Sequence, residues 1–90
     1  MRKIAILTIA AVTLGAAAAQ ASSLGKPCTS APEAQWLPMH QLQGKVEAEG
    51  YKVQKAKLKN ACGEFYTLDK NGSRVELFVD PTNGRIIGQM

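Results

Sequence analysis

Three clusters of turn-forming residues punctuate the second half of this 90-residue chain: Asn60-Ala61-Cys62-Gly63, Lys70-Asn71-Gly72 and Pro81-Thr82-Asn83-Gly84. They constrain the fold more than any other feature, because the runs between them alternate apolar and polar residues with the period of half-buried strands. A three-residue hairpin at Lys70-Asn71-Gly72, with Gly72 left-handed, sets Asp69 opposite Ser73, Thr67 opposite Val75 and Phe65 opposite Leu77. Phe65, Val75, Leu77 and Val79 then share one face. Carrying the register through the turn from Asp80 to Arg85 sets Val79 opposite Ile86. A four-residue loop at the first cluster sets Leu58 opposite Phe65 and Ala56 opposite Thr67. A one-residue slip would invert the face, and the separate turns agree on it. The expectation is a three-to-four-stranded antiparallel meander from Tyr51 to Gln89.

One helix precedes it. Pro38 suits a first helical position, Met39, Leu42 and Val46 follow at spacings of three and four, and Glu49-Gly50 offers a glycine for the left-handed position after a helix. The spacing predicts a helix from Pro38 to Glu49, with Trp36 folded onto the same apolar stripe. Gly44 weakens it by about 1 kcal/mol relative to alanine, so the helix depends on packing across the sheet. The fold class is α+β: one N-terminal helix packed on an antiparallel β-meander.

Upstream, Met1-Arg2-Lys3, the apolar run from Ile4 to Ala18, and Ala19-Gln20-Ala21 have the form of a secretory signal peptide cleaved after Ala21. No lipobox precedes Cys28. Residues 1–21 are thus read as a leader, 22–35 as an extended arm without regular structure, and 36–90 as the folded domain. Export delivers Cys28 and Cys62 to an oxidising compartment, where one structural disulfide is the default. They lack the Cys-x-x-Cys spacing of a redox pair, and further ligands for a metal site are missing. The expected location is the periplasm, with secretion the other outlet.

The formal charge of +4 falls to about +2 without the leader, which is no nucleic-acid signature. Lys52, Lys55, Lys57 and Lys59 crowd the first strand, where they either guard a sheet edge or meet an anionic partner. The second sheet face carries Glu64, Tyr66, Arg74, Glu76, Phe78 and Ile87 in the same register. Tyr51 and Val53 join it unless a bulge near Gln54 switches the phase of the strand. Tyr66, Phe78 and Ile87 form a candidate partner face, to be covered by the arm, by a second copy or by another protein. His40 is the only histidine and is expected on the helix surface. Glu33, Glu47, Glu49, Glu64, Asp69, Glu76 and Asp80 are scattered and match no calcium loop. With no nucleophile and base pairing visible, the chain reads as non-enzymatic and without a cofactor.

Gly50-Tyr51-Lys52-Val53 after a helix, a strand containing Gly63-Glu64-Phe65-Tyr66, an Asp69-Lys70-Asn71-Gly72 hairpin and a closing Val79-Asp80-Pro81-Thr82-Asn83-Gly84 turn resemble, in that order, the PepSY domain family. The likeness covers about Trp36 to Gln89. It implies a helix packed on an antiparallel sheet and a non-catalytic module related to peptidase propeptides, which inhibits or regulates peptidases near the cell surface. No protease domain follows here, so the implied action is in trans on an envelope peptidase or other envelope protein. Two alternatives are a periplasmic small-ligand or ion-binding protein, at the Tyr66/Phe78/Ile87 face or the lysine strand, and a structural homodimer.

Overall fold

Pro38 stops the extended approach to the helix, and its carbonyl accepts the first backbone bonds, from the N–H of Gln41 at 2.9 Å and of Leu42 at 3.1 Å. In the computed structural model, which describes residues 23–90, helix α1 spans Met39–Ala48, with Pro38 and Glu49 as its flanking residues and Gly50 at φ +101°. The expected leader, residues 1–21, lies outside the described residues. Leu42 and Val46 are fully buried, one helical turn apart on the face toward the sheet. Gly44 faces open space.

Four strands follow: β1 (Lys52–Lys59), β2 (Cys62–Leu68), β3 (Arg74–Val79) and β4 (Ile86–Gln89). They form one antiparallel sheet in the order β1-β2-β3-β4, the expected meander with its fourth strand present. At the β2–β3 turn the Asp69 carboxylate accepts from the N–H groups of Asn71 and Ser73, both at 2.9 Å. Gly72 takes φ +83°, a conformation that would strain any side chain there. The hairpin holds Thr67 opposite Val75 and Phe65 opposite Leu77 as expected. Asp80 organises the β3–β4 turn in the same way, its carboxylate accepting from Thr82 N–H at 2.9 Å and Thr82 Oγ1–H at 2.7 Å. Val79 pairs with Ile86 as the register required.

The first turn departs from expectation. Asn60 and Ala61 alone make it, both with positive φ (53° and 59°), which is the type I′ geometry that suits the twist of two adjacent strands. Cys62 and Gly63 therefore belong to β2, and Ala56, not Leu58, stands opposite Phe65. Leu58 lies opposite Gly63, at 46% exposure. A glycine suits position 63 because the core crowds it: a Cβ there would sit 3.0 Å from the Phe65 ring and in contact with Leu42 and Val79 at 3.7 Å. Its glycine answers a packing demand, where the sequence suggested a turn.

A register shift between Val53 and Lys55 moves the start of β1 by one residue, so Val53 faces Thr67 and joins the core with Tyr51. The core is Leu42, Val46, Phe65, Leu77 and Val79, edged by Leu37, Met39, Tyr51, Val53, Ala56, Val75 and Ile86. Leu37 takes the place expected of Trp36. Its N–H donates to the carbonyl of the buried Pro81 at 2.8 Å, fastening the helix entry to the β3–β4 turn. Trp36 turns toward the arm instead, its indole N–H donating to the Ala31 carbonyl at 3.0 Å. The arm is not wholly irregular: Glu33–Gln35 close one 3-10 turn, with Trp36 N–H donating back to Glu33.

Candidate functional site

The face of the sheet opposite α1 holds the groups that the core does not use. Cys62, Glu64, Tyr66 and Leu68 of β2 point there, as do Arg74, Glu76 and Phe78 of β3, because Phe65, Thr67, Leu77 and Val79 alternate with them toward the helix. The pairings of Lys52 with Leu68, Lys55 with Tyr66, Lys57 with Glu64 and Lys59 with Cys62 set all four lysines on this face too. Lys52 is in phase with the other three because of the bulge at Gln54. A regular strand would have turned it toward the helix.

The arm divides this face. Cys28 and Cys62 form a disulfide with Cα atoms 4.9 Å apart, and Cys28, Cys62 and Phe78 make a second buried cluster against which Leu24 packs. Leu24 sits over Gly88, where any Cβ would collide with it, so the glycine opposite Phe78 is the seat of the arm. Phe78 is fully buried as a result. The three residues expected to make one partner face are thus not presented together: Phe78 lies under the arm, Tyr66 is half-buried beyond it, and Ile87 is the inserted residue of a bulge in β4, at 41% exposure. Of the covers considered for that face, the arm closes the Phe78 end.

The uncovered end is a groove of about 430 Å³, lined chiefly by Gln54, Tyr66, Leu68, Arg74, Glu76 and Met90. Met90 is held beside it by two 3.0 Å backbone bonds exchanged with Glu76. A second groove, of about 470 Å³, lies between the end of α1 and the β3–β4 turn, bounded by Lys45, Glu49, Asn83 and Arg85.

Two carboxylates stand between the arm and the first groove. Glu64 is 2% exposed, and its Oε1 and the Oε2 of Glu76 are buried without a hydrogen-bond partner. Burial pushes the Glu64 carboxyl above its usual range; Lys57 pulls it back, Glu76 raises it further and Lys59 lowers it again. The Lys57 ammonium also lies over the Tyr66 ring, 5.8 Å from its centroid. The sequence placed Glu64, Tyr66, Arg74 and Glu76 on one face. Its alternation did not show that Glu64 would be closed in to 2% exposure.

What the face offers chemically is recognition. Basic side chains flank an aromatic ring and two shielded carboxylates. Among the described residues no group of three or more His, Cys, Asp or Glu could hold a metal ion, and no helix is long and apolar enough to cross a membrane. His40 is exposed on α1, away from this face.

Comparison with known proteins adds one finding. A family model described as "Peptidase propeptide and YPEB domain" matches residues 5–90, nearly the whole chain. No curated protein matches, and no solved structure does.

Proposed function

The chain belongs to the peptidase propeptide and YPEB domain family, the PepSY group, and from that premise we propose that it is an exported, non-enzymatic module that binds an envelope peptidase in trans and restrains it. The observation that carries the reading is the extent of the match, which takes in α1, the whole sheet and the arm. The disulfide suits an oxidising compartment and supports the exported location. Contact would be made by the face opposite α1 or by an open strand edge. Both supply recognition groups without a catalytic constellation.

Capture from an envelope extract with the exported, oxidised protein tests it, at low and at high salt, followed by assay of any peptidase recovered. The expected result is a peptidase whose turnover slows when the free protein is added back. Capture of no peptidase, or of one whose rate does not change, refutes the reading.

A second reading has its own observation. The 430 Å³ groove beside Tyr66, with the unpartnered Oε2 of Glu76 at its wall, is of a size to hold a small ligand. A nuclear magnetic resonance titration with small cationic metabolites, followed at the signals of Tyr66 and Met90, separates it from the peptidase reading.

A further inference from the structure

We infer that the outer edge of β1 is a docking strand for an extended segment of a partner polypeptide in which acidic and apolar residues alternate. The inference rests on the reading of this chain as a binding module and adds the chemistry of what it binds.

Three observations lead to it. First, β1 is an edge of the sheet, with β2 on one side and no strand among the described residues on the other. The two-residue turn at Asn60-Ala61 makes Lys59 and Cys62 a hydrogen-bonded pair, and antiparallel pairing then alternates. Lys57 and Lys55 bond inward to β2, which leaves the N–H and C=O groups of Ala56 and Leu58 directed outward. Those are the groups that an added strand pairs with.

Second, the charges are sorted by face. Lys55, Lys57 and Lys59 project opposite α1 at intervals of roughly 7 Å, and the bulge brings Lys52 into the same row. All four are exposed. An added strand repeats that interval, so acidic residues at every second position would each meet a lysine.

Third, the other side of the same edge is apolar. Ala56 and Leu58 point toward the helix side, and Leu58 remains 46% exposed at the rim of the core. Apolar residues at the intervening positions of a partner strand would cover it. The opposite edge, β4, reads Ile86-Ile87-Gly88-Gln89 and carries no charge.

The test is a nuclear magnetic resonance titration of the exported, oxidised protein with a capped nine-residue peptide alternating valine and glutamate. A peptide alternating valine and lysine is the control. The glutamate peptide is expected to shift the amide signals of Ala56 and Leu58 and slow their hydrogen exchange, and to bind about tenfold more weakly when salt is raised from low to physiological strength. Lys55→Gln/Lys57→Gln should weaken it about tenfold, and Lys55→Glu/Lys57→Glu should transfer preference to the lysine peptide. No response at millimolar peptide, equal binding of both peptides, or shifts confined to β4 or to the groove at Met90 overturn the inference. The charge-reversed variant also belongs in the envelope capture. If it still recovers and slows a peptidase, the docking strand is wrong and the peptidase reading stands. If the wild type binds the glutamate peptide but restrains no peptidase, the reverse holds.

Discussion

Removing the bridge between Cys28 and Cys62 by a double Cys→Ala substitution should cost a large share of the stability of this domain. The bridge spans 34 positions, and a loop of that length removes about 4 kcal/mol of chain entropy from the unfolded state. A domain of roughly 70 residues has only about 3.5 to 10 kcal/mol in total. The bridge also tethers the arm through the cluster of Cys28, Cys62 and Phe78, so its loss releases Leu24 from Gly88 and opens Phe78 to water. Urea unfolding followed by tryptophan fluorescence suits the measurement, because Trp36 is anchored to the arm at Ala31. The expected result is a loss of about 5 kcal/mol, about 4 from the loop and about 1 from the released arm, with a steeper urea dependence because the unlinked chain exposes more surface on unfolding. A Gly88→Val control that keeps the bridge should dislodge Leu24 yet lose only about 1 kcal/mol, the difference being the entropic part. A double variant that unfolds within about 1 kcal/mol of the wild type would refute the loop-entropy argument.

Other expectations follow from single contacts. Ala61→Gly should stabilise by about 1 kcal/mol in thermal unfolding, since Ala61 holds φ 59° in a turn that favours glycine. Because the Glu64 carboxyl is raised, its protonated form is favoured in the fold; its contribution to stability is full below the ordinary carboxylate range and is lost as pH rises through the raised value. Glu64→Gln should flatten that slope in pH-dependent urea titrations. Thr67→Val should cost about 1 kcal/mol by denaturant titration, because the Thr67 hydroxyl donates to the Val75 carbonyl at 2.7 Å inside the sheet. Phe78→Ala should cost about 3 to 5 kcal/mol, as a fully buried ring does, and leave a protein that binds hydrophobic dye.

What could be read from the sequence was what short-range chemistry decides. Asp69 begins its turn with a carboxylate that accepts backbone N–H groups two and four residues on, Asp80 with one that accepts the N–H and hydroxyl two residues on, and those turns set the β2–β3–β4 register locally. The pairing of β1 was two residues off because Ala61 is an unlikely occupant of a left-handed position. The cluster Asn60-Ala61-Cys62-Gly63 reads as a four-residue loop. The crowding of the Phe65 ring explains why the strand residue at 63 is a glycine. The shift of two preserved the face, so the core was identified despite it. Trp36, just ahead of the helix, is expected on its apolar stripe, yet Leu37 is the residue that packs there and whose N–H meets the Pro81 carbonyl. Of the candidate site, the composition of the second face was legible and its accessibility was not. The row of four lysines needed the Gln54 bulge, and the burial of Phe78 needed the path of the arm, a contact between residues far apart in sequence.

The path of the arm also has a consequence for the order of events as the chain matures. The loop closed by Cys28 and Cys62 encloses all of α1 and β1 and excludes β3 and β4. A chain delivered to an oxidant from its N-terminus presents both thiols before Phe78 and Gly88 have arrived. Closure at that stage joins a helix and one hairpin arm whose far side has no covering strand. Leu24 can then find its seat only after β4 docks, which makes the last strand in the sequence the step that locks the first described segment in place.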